Sequence, residues 1–339
     1  MKKLVVLSLL VDLVVFTLIA QPMKIMTYNV ENLFDTHHDS LKKDTEFLPN
    51  SEMRWTNKRF QEKLHEVMQV IVGVGSDELP LLVGLCEVEN DYVLKAMTQM
   101  DPYDQLGYDY VHYEGPDTRG IDVALLYQRD KFTPLASRPI PVELPNSQRG
   151  RDLLYVCGAL SDSTLLHIIQ VHFPSRREGA LVSEPNRIAA AKAVRDVVDS
   201  LFAIDPQAGI VIMGDFNDNP SDKAPSITLA AIPYNIGKFE NTKLYNLCWN
   251  GGDIDREIGS YFHDNQWDML DQIMVSGALL NGNLTVRIMP EAEVFHPKWI
   301  SKRDKRTGEM IPKRTYVGQF YQGGVSDHFP VFVEMNCRE

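Results

Sequence analysis

The residues able to do chemistry stand where apolar runs end. Asn29 and Asn32 follow Met26-Thr27-Tyr28, Glu87 follows Gly84-Leu85-Cys86, and His172 follows Ile169-Gln170-Val171. Asp215 and Asn217 follow Ile212-Met213-Gly214, Asp271 lies in Met269-Leu270-Asp271-Gln272-Ile273, and Asp327-His328 follow Gly324-Val325-Ser326. Taken singly, an Asp or Asn after a strand is usually a turn former, bonding its side chain to nearby backbone. A lone histidine is usually a satisfied surface or core residue. Together they differ, because carboxylates, carboxamides and two imidazoles all fall at strand ends and none in the apolar stripe of a helix. Carboxylate and amide oxygens suit a hard divalent cation, with zinc disfavoured, and imidazole beside carboxylate suits proton transfer.

Such positions need a scaffold that gathers strand ends. Short apolar runs predict strands at 24–30, 81–86, 122–127, 153–160, 165–172, 210–215, 270–275, 284–289 and 330–335. Two segments carry helical spacing instead. Phe60, Leu64, Val67, Met68 and Ile71 draw one stripe, with Lys58, Arg59, Glu62 and Lys63 facing away. Ile188, Ala191, Val194, Val198, Leu201 and Phe202 draw the other, behind Ser183 as N-cap and Pro185. Many strands with few helices predict an α/β fold, a four-layer sandwich of two mostly antiparallel β-sheets flanked by α-helices. Strand ends of such a sandwich can converge on one cleft. No repeat, low-complexity tract or linker interrupts residues 23–339, which read as a single domain.

The chain has 339 residues, 44% hydrophobic and 24% charged, with a net charge of −12. A large core can be buried at this length, and a disordered chain or a disulfide-stapled miniprotein is excluded. The negative balance argues against holding nucleic acid by bulk electrostatics, which needs many Lys and Arg contacts to phosphate. It does not exclude a nuclease with a locally basic site. Cys86, Cys157, Cys248 and Cys337 show no metal-binding spacing, and Cys86 and Cys157 sit in strand-like runs as buried thiols. Lys2 and Lys3, an apolar run over 4–20 and the break at Gln21-Pro22 predict a signal peptide at residues 1–20, hence a secreted or periplasmic protein. Asp12 within the run and Leu18 before the cut keep an uncleaved anchor as the alternative. No other stretch is long and apolar enough to span a membrane, so the mature chain carries no stable span.

The segments MTYNVENLFD, LCEVEN, RGIDVALLY, VHFPSR, GDFNDNPSD, MLDQIMVS and GVSDHFPV run in this order from Met26 to Val331. They resemble the signature blocks of the endonuclease/exonuclease/phosphatase superfamily, and the surroundings of VHFPSRREG and GVSDHFPV resemble a bacterial secreted branch of it. That superfamily includes apurinic endonucleases, pancreatic-type deoxyribonuclease, neutral sphingomyelinases and inositol polyphosphate 5-phosphatases. The resemblance implies the sandwich fold, a requirement for Mg2+ or Mn2+, and hydrolysis of a phosphate ester. An anionic phosphate repels nucleophiles and its alkoxide leaves poorly, so a cation, a positioned water and donors for developing charge are needed.

The resemblance also implies roles. Glu87 is a direct metal ligand, with Asn29 beside it and Asp327 directed to the metal. Asp215 activates or orients the attacking water, and Asn217 holds water and phosphate in line. His328 donates to a non-bridging phosphate oxygen, and Asp271 pairs with its other nitrogen. His172 assists the leaving group or phosphate. Its carboxylate partner is Asp122 of Arg119-Gly120-Ile121-Asp122, unless Asp122 pairs with Arg119. Arg176, Arg177 and Asn32 are candidate phosphate binders.

The implied function is hydrolysis of a phosphodiester by in-line attack of an activated water, with nucleic acid among the candidate substrates and a monomer as the working unit. One alternative is a phosphomonoesterase or phospholipase-C-like enzyme on inositol phosphates or lipid headgroups, which the stretches 101–118 and 238–267 would set apart. A catalytically silent binding module is the other, and it would have lost Glu87, Asp215 or His328. With no GxxxxGK[ST] loop and no GxSxG elbow, kinase-like and serine-hydrolase chemistry are disfavoured. The segment 298–314 is rich in Lys and Arg in an acidic chain and is expected to form a phosphate-gathering flap near Asp327-His328.

Overall fold

The computed structural model describes residues 22–145, 148–235, 237–251 and 258–337. The chain lays down one sheet, crosses to build a second, and returns to finish the first. β1 (Met23–Leu33), β2 (Leu82–Val88), β3 (Tyr108–His112) and β4 (Asp122–Gln128) begin it, with α1 (Asn57–Gly75) and α2 (Asp91–Gln99) between them. β5 (Phe132–Ile140), β6 (Leu153–Leu160), β7 (Leu165–His172), α3 (Ala180–Ile204), β8 (Gly209–Asp215), β9 (Ala231–Pro233) and β10 (Leu244–Asn246) follow. A hairpin of β11 (Tyr261–His263) and β12 (Gln266–Asp268) precedes β13 (Asp271–Ser276), α4 (Gly277–Leu280), β14 (Val286–Ile288) and β15 (Glu293–Val294). Two more hairpins, β16 (Ser301–Arg303) with β17 (Met310–Pro312) and β18 (Tyr316–Val317) with β19 (Phe320–Tyr321), lead into β20 (Val331–Cys337).

The sheets are ordered β14-β20-β1-β2-β4-β3, with β15 beside β20, and β5-β6-β7-β8-β13-β10-β9. β1–β2, β7–β8 and β9–β10 pair in parallel, and the remaining neighbours are antiparallel. Period-two alternation sorts the side chains into layers. Ile25, Leu82 and Cys86 of the first sheet meet Ile168, Val211 and Met213 of the second in a shared core. Met26, Tyr28, Val83 and Leu85 turn the other way, onto Leu64, Val67 and Met68 of α1 and Leu94 of α2. Ile169, Ile210 and Ile212 cover Ala191, Val194 and Val198 of α3. Each large apolar side chain so buried contributes about 1.5–3 kcal/mol, and the result is the expected four-layer α/β sandwich.

Every apolar run read as a strand forms one. The elements not expected include α2, β3 and β5, and these two strands lie at sheet edges, where selection for apolar alternation is weak. Pro134 and Pro139 in β5 are tolerated there because an edge strand leaves one row of N–H groups unpaired. The second helix starts at Ala180 with Gly179 as its N-cap, so Ser183 is not the cap. Ser183 Oγ instead donates to Gly179 O at 2.8 Å and accepts from Arg187 Nη1 at 2.6 Å, and Pro185 stands inside the helix. Lys63 does not face water. It is buried, and its Nζ donates to Glu31 O and, at 2.7 Å, to Thr315 Oγ1. Cys86 and Cys248 are buried, Cys157 is half-buried and Cys337 is exposed. No helix among the described residues is long and apolar enough to cross a membrane, and residues 1–20 of the expected signal peptide lie outside the described residues.

Candidate active site

Three registers bring the strand ends together. Asn29 of β1 lies opposite Cys86 of β2, so Glu87 comes next to it. In the second sheet His172 of β7 is opposite Asp215 of β8, and Asp215 is opposite Asp271 of β13. Asn29 and Asp215 share the parity of Ile25 and of Val211, so both point between the sheets. Glu87 has the opposite parity and would point toward α1 in a regular strand. A bulge corrects this: β2 slips against β4 between Cys86 and Val88, and Glu87 adopts φ 66°. The extra residue turns its carboxylate into the cleft, a common use of bulges beside active sites. Gly214, at φ 142°, lets β8 come close to β7, since a Cβ there would fall 1.9 Å from Val171 O.

The cleft so formed has a volume of about 840 Å³ and is lined by Asn29, Glu87, His172, Asp215, Asn217, Asp327 and His328 among others. Asn29 Nδ2 donates to Asp215 Oδ2 at 3.0 Å and to Glu87 Oε1 at 3.5 Å, while its Oδ1 accepts from Glu31 N at 3.0 Å. Asn32 contributes its backbone N–H, 2.8 Å from Glu87 Oε2. Asn217 N donates to Asp215 Oδ1 at 2.8 Å, and its Nδ2 donates to Phe173 O at 3.0 Å. Burial raises the Asp215 pKa to about 6, with Asp271 adding to the rise against the pull of His328 and the two asparagine contacts.

Asp271 is wholly buried and reaches the cleft through His328, whose Nδ1 is 2.6 Å from Asp271 Oδ2. Ser260 Oγ accepts from Asp271 N at 3.0 Å, and Ser326 Oγ accepts from His328 N at 3.0 Å while donating to Asn29 O at 2.7 Å. Tyr261 packs its ring 4.7 Å from that of His328. Burial opposes a charge on His328, but Asp271, then Asp327 and Asp215, raise its pKa well above the ordinary value. For His172 burial acts with Arg151 and Arg119 to hold the pKa well below the ordinary range, so this ring is neutral. Its Nε2 faces Asp215 Oδ2 at 3.6 Å and Glu87 Oε1 at 3.9 Å.

A scan against family models matches residues 24–337 to the endonuclease/exonuclease/phosphatase family. The chain belongs to this family. Its members are metal-dependent phosphoric ester hydrolases, and so is this protein. Among solved structures the fold is similar to an endonuclease/exonuclease/phosphatase family protein of Bacteroides thetaiotaomicron, at TM-score 0.54 and 17% identity, covering 93% of this chain and 95% of that one. A mannosyl-6-phosphatase of the same species gives 0.55 and 16%, covering 92% and 99%. D. rerio TDP2 complexed with a single-strand DNA product gives 0.55 and 15%, covering 93% and 99%. At these identities the likeness is one of fold. No curated protein sequence matches.

A hard divalent cation of the kind this family uses fits the donor set. Glu87 Oε1 has only long contacts, to Asn29 at 3.5 Å and His172 at 3.9 Å, and Asp327 Oδ1 is 3.9 Å from His328 Nε2 while Oδ2 pairs with Arg314. Asn29 presents its amide nitrogen to both carboxylates and its Oδ1 to Glu31 N.

Two other expectations fail. Asp122 pairs with neither His172 nor Arg119. Its Oδ2 accepts from Gly115 N at 3.1 Å and faces His112 Nε2 at 3.7 Å, and His172 Nδ1 has no partner. Asp122 opens β4 beside Val88, and the bulge at Glu87 separates it from the cleft side. Arg176 lines the cleft as a brace: its Nε donates to Asn217 O at 2.6 Å, and its guanidinium is 3.5 Å from Asp268 and Asp222. Arg177 stays exposed on the cleft wall. The guanidinium missed by sequence is Arg151, which lines the cleft with Nη2 on Phe173 O at 3.2 Å and a buried Nη1 that lacks a partner. Its only signal was its place just before the strand run at 153. Tyr261 and His263 reach the cleft from the stretch 238–267, as do Asp117, Thr118 and Arg119 from the other substrate-side loop.

Proposed function

We propose that the protein hydrolyses a phosphodiester by in-line attack of water, within one domain spanning 23–339. The observation that carries this is the convergence of Asp215, Asn217 and the His328–Asp271 pair on one wall of a cleft whose other wall is Glu87. Asp215 accepts the proton of the attacking water, held in place by Asn29 and by the backbone N–H of Asn217. His328, kept protonated by Asp271, donates from Nε2 to a non-bridging oxygen as charge builds there. His172, neutral and 3.6 Å from Asp215, lies where it can serve the leaving oxygen. A cation held by Glu87 and Asp327, Mg2+ or Mn2+ in an all-oxygen set, would supply fixed positive charge to the phosphate.

Arg119 and Arg151 beside His172 favour a second reading, in which two guanidinium groups hold the dianion of a phosphomonoester. The mannosyl-6-phosphatase of similar fold makes a sugar phosphate a natural probe. Both readings are compatible with a monomer exported by the leader at residues 1–20. The deciding experiment is a hydrolysis panel with Mg2+ and Mn2+ over plasmid DNA, RNA, sphingomyelin, inositol phosphates, mannose 6-phosphate, p-nitrophenyl phosphate and its bis ester. Faster turnover of the bis ester and of a nucleic acid supports diester hydrolysis. Preference for the monoesters selects the second reading, and no turnover of any of them rejects both.

A further inference from the structure

A second group of ligating side chains stands apart from the cleft, at the root of the loop 113–121. His112 closes β3, Asp122 opens β4 and Glu114 lies between them, and one ligating atom of each falls within 4.8 Å of the others. Acidic groups alone would mean little, but the histidine is unusual. Its side chain is 3% exposed, and Nε2 has no hydrogen-bond partner. That nitrogen faces Asp122 Oδ2 across 3.7 Å, too far for a hydrogen bond. A buried polar atom in this state needs an explanation, and an ion is one of the standard ones. The backbone is also shaped to the carboxylate: a Cβ on Gly115 would fall 2.4 Å from Asp122 Oδ1, and Gly115 N donates to Oδ2. Lys42 adds positive charge beside Glu114, but its Nζ donates to Gly115 O at 2.7 Å and Asp117 O at 3.1 Å and to no carboxylate of the group.

We propose that His112, Glu114 and Asp122 bind a zinc-class transition-metal ion, distinct from the hard-cation centre at Glu87. One imidazole nitrogen and two carboxylates form a three-ligand set that zinc accepts with water in the fourth position, and nitrogen favours it over Mg2+. The consequence reaches the cleft. Asp117, Thr118 and Arg119 line it from this loop, and an ion joining the end of β3, the loop and the start of β4 clamps their positions. The ion is therefore a positioning device whose loss raises KM more than it lowers kcat.

The test counts zinc. Full-length protein is stripped with chelator, loaded with Zn2+, passed through a desalting column and assayed by mass spectrometry of the metal. Wild type and Glu87→Gln should keep the same tightly held equivalent, and Asp122→Asn, which still offers Gly115 an acceptor, should lose it. Crystals of the wild-type protein soaked in Zn2+ give an arm that needs no variant to fold. Anomalous density at about 2.0–2.1 Å from His112 Nε2 is the expected result. Absence of that density, an equivalent retained by folded Asp122→Asn, or one lost in Glu87→Gln instead, each overturns the proposal.

Discussion

Nδ1 of His328 donates to Oδ2 of Asp271 across 2.6 Å, and the side chains are 7% and 0% exposed. The pair links the two sheets chemically, because Asp271 belongs to β13 while His328 lies in the loop leading to β20 of the other sheet. Ser260 Oγ holds Leu270 N and Asp271 N, and the Phe329 N–H bond of 2.7 Å to Ser260 O fixes the loop against them. The imidazole therefore has one orientation, with Nε2 directed into the cleft.

Asp271→Asn keeps the shape of this pair and removes its charge. The carboxylate raises the pKa of His328 above its ordinary value, so protonation of His328 stabilises the fold fully below about 6.5 and this contribution fades as pH rises through the raised pKa. A pH profile of kcat/KM should show the alkaline limb of Asp271→Asn moved to lower pH, with a loss of roughly a hundredfold at the optimum. A profile that overlays the wild type would show that the charge on His328 is not used.

Chelation should abolish turnover and added Mg2+ should restore it. Glu87→Gln weakens the cation site, so the Mg2+ concentration for half-maximal rate should rise roughly 10–100-fold. His328→Ala removes no proposed ligating oxygen, its Nε2 being a 3.9 Å neighbour of Asp327 Oδ1, and should shift that concentration far less than Glu87→Gln does while kcat falls roughly a hundredfold or more. The two variants are thus separated by one metal titration.

Arg151, not expected from the sequence, lines the cleft alongside Arg176. Arg151 lines the cleft with its Nε 3.7 Å from Asp117 Oδ2, so Arg151→Met should raise KM by roughly 10–100-fold, the scale of a lost charge-assisted bond. Arg176 bonds to Asn217 O and braces the loop that ends in Asp215-Phe216-Asn217, so Arg176→Met should act mainly on kcat. Steady-state kinetics on one soluble ester separates the two.

A buried ion pair gives a prediction for stability. Arg187 Nε lies 2.5 Å from Asp218 Oδ1 with both side chains at most 3% exposed, and the same guanidinium bonds Ser183 Oγ and Ala180 O at the start of α3. Arg187→Met would leave Asp218 buried without its partner and should cost about 3–5 kcal/mol in urea unfolding. A change below about 1 kcal/mol would mean that water reaches the carboxylate.

What sequence makes legible here follows from two periods. The apolar runs of β1, β2, β7 and β8 are nearly continuous because both faces are buried, and Asn29, Glu87, His172 and Asp215 stand out as polar residues ending them. Edge strands β3 and β5 have one face against solvent or loops, so their pattern is weak. The expected pairing of Asp122 with His172 fails because Asp122 lies beyond the bulge at Glu87, and no sequence period encodes that bulge. Lys63 faces Glu31 O and Thr315 although its helical position borders the polar side. Its long stem lets the ammonium reach a carbonyl that no sequence period encodes.

The basic segment gives the last prediction. Lys302, Arg303, Lys305 and Arg306 stand on the β16–β17 hairpin and its turn, and none of them lines the cleft, whereas Arg314 at its base pairs with Asp327. Trp267 Nε1 donates to Glu309 Oε2 at 2.6 Å, which docks the hairpin on the β11–β12 hairpin whose Tyr261 and His263 do reach the cleft. The four charges can therefore act on a substrate only through their field or on a polymer long enough to leave the cleft. Replacing all four by Ser should leave KM and kcat for a small ester unchanged. With plasmid DNA the same variant should lose rate at low ionic strength and show a flatter salt dependence, since the field is screened over roughly 10 Å at 0.1 M. A DNA salt slope equal to that of the wild type would remove the hairpin from substrate capture and favour a small phosphate ester as the substrate.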